Sequence, residues 1–278
     1  MDTIDNKIEN LENENLENKK PEESNFSWCG YTWKAAQENG RLIHPDFPWY
    51  WYSLDTIRIC SDNVLELYIK YNPKEIKHWN GKTYHPIIEV PTMRTIETFG
   101  YGIFKADIML PTGTNLWPSF WTTGSGNWPP ELDIMEAWSE DDKYFKWFIA
   151  QPPYFSPSWR TTTNVHYRNE DLEHKSVGSR NISWFKQRNN PCINYIEYKC
   201  EWLPNSITFY ANGREVRKIT GDVCKDLRVN LKDPNKGYKM NVLFDVWCED
   251  PEKCNVEMYT PMRIKNFEYE PYTIYYRP

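Results

Sequence analysis

The sequence lacks any apolar run close to the roughly 18 residues that a membrane-crossing helix requires. Its first ten residues, MDTIDNKIEN, contain no apolar core of the kind found in secretory signal peptides. These two absences predict that the chain has no membrane span, and they leave its cellular location open.

The seven cysteines lack the spacing of a metal or redox motif. No two of them form a Cys-x-x-Cys pair, the spacing of zinc ribbons and thioredoxin-type sites. We therefore predict no metal site and interpret the cysteines mainly as buried or loop thiols, with room for one disulfide bridge.

Positive charge is scarce: 33 lysines and arginines stand against 39 acids, a net charge of −6. Residues 1–24 carry eight acids and three lysines, which is −5 of that total, so the remaining chain is close to −1. A body without a basic surface excludes a nucleic-acid partner and is compatible with a neutral polymer.

The low-complexity residues 1–24, rich in Asn and Glu, predict a disordered acidic tail. Residues 25–278 change to short apolar or alternating runs broken by Pro, Gly, Asn and Asp, and we expect them to form a single domain. Long helical periodicity is missing almost everywhere, which favours an all-β sandwich.

Several runs predict individual strands. Residues Val64–Lys70 and Gly102–Met109 alternate in polarity, whereas Phe145–Ala150 and Tyr238–Trp247 are continuous enough for central strands. The dipeptide Asn212-Gly213, between two further strands, predicts a type I′ turn.

Residues 128–138 read WPPELDIMEAW and place three acids within six positions of an apolar stretch. On a regular strand Glu131 and Asp133 share one face, and Glu136 points to the other. A β-bulge at Ile134-Met135 would return Glu136 to the face of the first two acids. A solvated acidic edge strand is the alternative, but the interleaved apolar residues disfavour it.

Such neighbouring carboxylates cannot all ionise at their ordinary pKa, so at least one should stay protonated. One charged and one protonated carboxyl, about 5–5.5 Å apart, are what retaining glycoside hydrolysis uses. We therefore predict Glu131 as the nucleophile, Glu136 as the general acid/base, and Asp133 as the acid that sets the charge state of the nucleophile.

At these residues the sequence resembles glycoside hydrolase family 16, whose members share a Glu-x-Asp-x-(x)-Glu strand. The two-residue spacer Ile134-Met135 resembles the bulged, laminarinase-like branch of the family. The likeness runs loosely from about Ser53 to Tyr269, and the further motifs that carry it are Tyr101–Pro111, Leu116–Trp121, Trp128–Glu131, Glu201-Trp202 and Ile207–Gly213.

The resemblance implies a β-jelly-roll sandwich of two curved antiparallel sheets with a concave substrate cleft. It also implies endo-hydrolysis of β-1,3- or mixed β-1,3/1,4-glucan by double displacement. Hydrolysis of β-linked galactans of the agar or carrageenan type, and transglycosylation, stay open as alternatives. We expect a monomer acting on a polysaccharide without a required cofactor; members often hold a structural calcium ion, whose ligands the sequence does not assign.

Aromatic residues make up 16% of the chain, including 14 tryptophans, which suits both a β-rich core and a sugar-stacking cleft. A non-catalytic carbohydrate-binding sandwich would also keep tryptophans, but it has no need for three spaced acids. The residues predicted to bind substrate are Trp117, Trp121, Trp128, Trp138 and His166. For Trp117, Trp121 and Trp138 core packing is an equal alternative, and for His166 a structural role is the more common one.

Three features depart from the family pattern and widen the range of substrates. Asp107 stands where members often carry Arg, and Ile196 where laminarinase-like chains often have His. Residues Phe244–Asp250 replace a Gly-rich segment that is common near the cleft.

Overall fold

The computed structural model describes residues 25–35, 42–44, 47–78, 80–113, 115–125, 128–139, 159–181, 191–227, 239–248 and 260–272. The predicted tail, residues 1–24, and the predicted strand Phe145–Ala150 lie outside these ranges. The single domain over residues 25–278 therefore stays a prediction.

The described residues form 22 strands, one short helix, α1 (Asp222–Asp226), and a 3-10 turn at Leu54–Thr56. In chain order the strands are β1 (Asn25–Trp28), β2 (Tyr31–Ala35), β3 (Leu42–His44), β4 (Phe47–Tyr52), β5 (Ile57–Ile59), β6 (Leu65–Leu67), β7 (Lys70–Tyr71), β8 (Ile76–Lys77), β9 (Thr83–Tyr84), β10 (Ile88–Val90), β11 (Thr92–Thr95), β12 (Gly102–Met109), β13 (Leu116–Gly124), β14 (Glu131–Ser139), β15 (Trp159–Arg168), β16 (His174–Ser176), β17 (Arg180–Asn181), β18 (Ile196–Leu203), β19 (Ser206–Ala211), β20 (Arg214–Thr220), β21 (Met240–Cys248) and β22 (Met262–Pro271).

Two large antiparallel sheets form a β-jelly-roll sandwich. Within the described ranges, the first has nine strands in the order β1-β2-β11-β21-β13-β14-β15-β16, with β17 beside β15. The second has seven, in the order β20-β19-β18-β12-β22-β6-β5. A four-stranded sheet, β3-β4-β10-β7, and the pair β8-β9 complete the described strands, and β4 pairs with β10 in parallel.

The core lies between the two large sheets because each sheet turns alternate side chains inward. Along β12 the burial alternates strictly, with Phe104 and Ile108 fully buried. From the seven-stranded sheet, Phe267 contacts Trp33, Phe120 and Phe244 of the nine-stranded sheet at ring-centroid distances of 5.5, 6.2 and 6.0 Å. We call the opposite face of the nine-stranded sheet the cleft face.

Two predicted strands are confirmed, as β12 and as β21, which begins at Met240 and ends at Cys248. The predicted turn at Asn212-Gly213 is also confirmed, since both residues have positive φ angles, 47° and 71°, between β19 and β20. The alternating run Val64–Lys70 is not one strand. It divides into β6 and the start of β7, which belong to different sheets, because Tyr68 and Ile69 carry the chain from one to the other.

Of the six cysteines within the described ranges, four are buried and two are half-buried. None of the helical segments in the described ranges has the length and apolar character of a transmembrane helix.

Candidate active site

A β-bulge in β14 brings the three predicted acids to the cleft face. Asp133 pairs with Asn164 of β15, and Glu136 pairs with Thr162, so three steps along β14 match two along β15. The register towards β13 shifts at the same place. The predicted bulge is therefore confirmed. It buries both Ile134 and Met135, which are 1% and 0% exposed.

Each of the two glutamates accepts a hydrogen bond from a tryptophan indole. Trp128 Nε1 donates to Glu131 Oε2 at 2.9 Å, and Trp117 Nε1 donates to Glu136 Oε1 at 3.2 Å. Trp128 lies three residues before the start of β14 and is 49% exposed, whereas Trp117 lies on β13, two residues before the Ser119 that pairs with Glu136. A donor aimed at a carboxylate stabilises the charged form.

A fourth carboxyl lies in the same cluster. Asp245 of β21 pairs with Ser119, is 3% exposed and accepts a hydrogen bond from Trp121 Nε1 at 2.8 Å. Sequence reasoning noted the surrounding segment only as a departure from the family. A signal was available, because an acid inside the predicted central strand is costly to bury without a partner or a purpose.

Burial raises the pKa of every acid in this cluster. It is the largest cause for Glu131 and Glu136, whose pKa rises to about 8, and for Asp133, whose pKa rises to about 7. Repulsion from the Asp133 carboxylate adds to the rise of both glutamate pKa values. Burial likewise raises the pKa of Asp245 well above its ordinary value. The cluster therefore holds protons at neutral pH and titrates as a coupled unit.

His166 of β15 lies beside the first two acids. Its Nε2 is 3.7 Å from Glu131 Oε1 and 3.5 Å from Asp133 Oδ2. Its Nδ1 is 2.9 Å from Nε2 of His174 on β16, and the two imidazole rings stack with centroids 5.2 Å apart. The indole of Trp128 packs against both imidazole rings, with ring centroids 5.9 Å from His166 and 4.6 Å from His174. The histidine pair therefore supports one side of this exposed indole.

A second group of aromatic rings lies beside Glu136. Trp138 stacks on Trp117 at 5.5 Å, and Trp117 meets Trp247 edge-on at 5.6 Å. Tyr50 of β4 lies a further 5.7 Å beyond Trp247. The structure thus gathers all five predicted substrate-binding residues around the acids, while their contact with a sugar stays a prediction.

One nitrogen or oxygen atom from each of Glu131, Asp133 and His166 lies within 4.8 Å of the other two, a spacing at which three side chains could approach a metal ion. Asn164 Nδ2 already lies 3.0 Å from His166 Nε2, so the lone pair of that nitrogen has a partner. We assign no metal to this group. The structural calcium ion suggested by the family resemblance stays a proposal without assigned ligands.

Two of the three departures from the family pattern lie outside the cleft. Asp107 and Ile196 belong to neighbouring strands of the seven-stranded sheet, and Ile196 is fully buried. Both residues therefore lie in the sheet opposite the one that carries the cleft face. The third departure, Phe244–Asp250, does reach the site, because β21 supplies Asp245 and Trp247.

The fold and the site define a β-jelly-roll protein with a carboxylate cluster in an aromatic-lined cleft, the chemistry that glycoside hydrolases require. A model of the family Glycosyl hydrolases family 16 matches residues 55–259. The chain belongs to this family, as its strand motif predicted.

Individual relatives are more distant. The chain is 30% identical over 121 residues to the endo-1,3-1,4-β-glycanase EglC of Rhizobium meliloti, a match covering 40% of this chain and 25% of that protein. It is 30% identical over 97 residues to a galactan endo-β-1,3-galactanase of Flammulina velutipes, covering 34% and 37%. The chain thus matches well under half the length of either relative.

Among solved structures, the catalytic domain of an endo-1,3-β-glucanase (laminarinase) from Thermotoga petrophila is similar over 92% of this chain and 97% of that domain. The TM-score is 0.60 and the sequence identity 15%. At this identity the likeness supports the jelly-roll fold, and the activity must be argued from the site.

Proposed function

We propose that the protein is a retaining endo-glycoside hydrolase that cleaves β-1,3- or mixed β-1,3/1,4-glucan. The observation that carries this proposal is the bulge in β14, which places Glu131, Asp133 and Glu136 on one buried face. A chain that only bound carbohydrate would have no reason to bury three acids at a high cost in free energy.

In the proposed reaction, Glu131 attacks the anomeric carbon while Glu136 protonates the leaving glycosidic oxygen. The Trp128 N–H supports the charge that Glu131 needs for this attack. Glu136, whose pKa is raised by burial, holds the proton that it must donate. Glu136 then removes a proton from water, which releases the sugar from Glu131 with retained configuration.

The aromatic rings on both sides of the acids suit a polymer that crosses the cleft. The exposed Trp128 lies at one end, and the pair Trp117 and Trp138 lies at the other. Sugar rings present an apolar face to such indoles. Binding on both sides of the reacting bond favours cleavage within a chain.

The charges near the cleft favour a neutral glycan. Arg168 donates to the carbonyl oxygens of Leu172 and Trp128 at 2.9 and 3.0 Å, and Lys175 pairs with Glu173 at 2.8 Å. These cations already have protein partners, so a sulfate group would have to compete for them. This supports a neutral glucan over carrageenan.

A β-1,3-galactan is the second candidate, favoured by the match to the Flammulina velutipes galactanase. The two candidates share the linkage and differ in the configuration of one hydroxyl group. Transglycosylation, with a sugar in place of water as acceptor, uses the same two acids.

The test is incubation with laminarin, barley mixed-linkage glucan, β-1,3-galactan, agarose and carrageenan, with analysis of the released fragments. We expect oligosaccharides of intermediate length from the glucans, and proton NMR should detect the β-anomer first at the new reducing ends. The Glu131→Gln variant is the control for contaminating activity. First appearance of the α-anomer would contradict retention, and faster cleavage of a sulfated galactan would contradict the proposed substrate.

A further inference from the structure

The side chain of Asn164 is held in one orientation by two donors on its carbonyl oxygen. The backbone N–H of Val165 donates to Oδ1 at 2.9 Å, and the Ser176 hydroxyl donates at 3.0 Å. That hydroxyl itself accepts from the Gly178 N–H at 3.1 Å, which directs its own proton towards Asn164. A reversed amide would set its NH₂ group against the Val165 donor. The NH₂ group therefore faces Nε2 of His166, at 3.0 Å.

This orientation determines where the protons of the two histidines lie. An amide NH₂ group only donates, so His166 Nε2 must be an unprotonated acceptor. A neutral imidazole then carries its proton on Nδ1, which lies 2.9 Å from Nε2 of His174. His174 must accept there and is also neutral. Desolvation is the largest cause that lowers the pKa of His174, and a lowered pKa agrees with a neutral ring.

We propose that Asn164 and His174 are positioning residues that hold His166 as the neutral imidazole with its proton on Nδ1. His166 then presents neither a positive charge nor an N–H donor to the carboxyls of Glu131 and Asp133, because the lone pair of Nε2 accepts from Asn164. The hydrogen-bond assignment stands on the geometry alone, and its meaning for the reaction rests on the proposed function.

A neutral ring without a proton on Nε2 offers the two neighbouring carboxyl groups neither a cation nor a donor that would stabilise a second negative charge, so a proton stays on one of them. Asp133 Oδ2 lies 3.5 Å from His166 Nε2, and it is buried without a hydrogen-bond partner among the described residues. Glu131 instead accepts the Trp128 N–H, which favours its charged form. The Glu131–Asp133 pair therefore keeps one proton, and in the form that reacts this proton lies on Asp133 and the charge on Glu131.

The charged groups around His166 are few. On β14 they are Glu131 and Asp133, and on β16 the neighbour is His174. Arg168 on the same strand as His166 donates to two backbone carbonyls. Glu136, also on β14, interacts electrostatically with His166 as well.

Nitrogen-15 NMR of the full chain at neutral pH tests the proposal directly. The chain has five histidines, and His166→Gln and His174→Gln variants assign the signals by their loss. We expect His166 to give one protonated nitrogen, Nδ1, and one unprotonated nitrogen, Nε2. Two protonated nitrogens, or a proton on Nε2, would overturn the proposal.

An Asn164→Asp variant tests the role of the amide. Its carboxylate keeps an acceptor for Val165 and Ser176 but replaces the NH₂ donor by a second acceptor, so His166 should gain a proton on Nε2. The spectrum should then contain two protonated nitrogens for His166. A variant spectrum identical to the parent would contradict the role of Asn164.

The matched control is Ser176→Ala, which removes one donor to Asn164 Oδ1 and leaves the Val165 N–H in place. We expect His166 to keep its neutral spectrum in this variant. If both nitrogens of His166 were protonated in Ser176→Ala, as we expect them to be in Asn164→Asp, the proposal would be contradicted as well. Because the spectra need no substrate, they separate this inference from the proposed activity: a neutral His166 in an inactive protein would refute only the latter.

Discussion

The two catalytic candidates Glu131 and Glu136 differ in the tryptophan that supports each of them, and both are buried beside Asp133. Because burial and the Asp133 carboxylate raise the pKa of both glutamates, the two together can carry one charge and one proton at neutral pH. The assignment of their roles gives the first prediction at the scale of single residues.

Replacing either glutamate by glutamine should remove almost all activity and leave the fold intact. We expect Glu131→Gln and Glu136→Gln each to lower kcat by at least about 10³-fold, because each removes a group that reacts. Asp133→Asn should cost less, since Asp133 is proposed to hold a proton beside the nucleophile. Kinetics with circular dichroism as the folding control checks this, and near-parental turnover of either glutamine variant would refute the assignment.

The raised pKa values predict the pH dependence of kcat/KM. Glu136 must be protonated to act as an acid, and its pKa of about 8 keeps it so up to that pH, so the rate should fall above it. Glu131 must lose its proton before it can attack, and burial raises the pKa of both Glu131 and Asp133. The acidic limb should therefore lie well above the ordinary carboxyl range near 4. A profile that is flat from pH 5 to 9 would contradict the buried cluster.

At the scale of strands, β12 and β22 approach each other closely at Gly102. A Cβ added at Gly102 would lie 2.4 Å from the carbonyl oxygen of Glu270 and 2.5 Å from the Tyr269 ring. Overpacking of this kind costs about 1–3 kcal/mol.

Gly102→Ala should therefore lower the melting temperature by several degrees. The matched control is Gly81→Ala, where φ is +81° but no atom lies within 4 Å, so that variant carries only backbone strain. Calorimetry of both variants checks the expectation that Gly102→Ala is the more destabilised. Equal melting temperatures would show that the two strands can separate to admit the methyl group.

Strand patterns predicted some elements well because each one buries a single face. The alternation of residues 102–109 and the Asn-Gly turn are local signals, and both are confirmed in β12 and between β19 and β20. The bulge in β14 was also predictable, since three acids could share a face only with one extra residue between them. The division of Val64–Lys70 into two strands was not predictable, because the alternation of polar and apolar residues continues where the chain passes from one sheet to another.

The candidate site was predictable where one segment carries several of its residues. Asp245 escaped prediction because its significance depends on Ser119 and Trp121, which are distant in sequence and adjacent only in the sheet. The His166–His174 contact likewise depends on the register between β15 and β16. The pairing of strands determines which distant residues become neighbours, and a single sequence does not specify that pairing.

At the scale of the whole molecule, nearly all of the net negative charge belongs to residues 1–24. Deleting these residues should leave kcat/KM and the melting temperature nearly unchanged, because their composition cannot bury enough apolar surface to stabilise the body. Calorimetry of the full and shortened chains measures this. A fall of more than a few degrees would show that the tail packs on the body.

The central claim is that Glu131 is the nucleophile of a double displacement. The most direct measurement is mass spectrometry of the protein after incubation with a 2-deoxy-2-fluoro glucoside that carries a good leaving group, followed by proteolysis. We predict a covalent glycosyl adduct on the peptide that contains Glu131, and its absence in Glu131→Gln. An adduct on Glu136 or another residue, or continued cleavage of glucan without any adduct, would contradict the account.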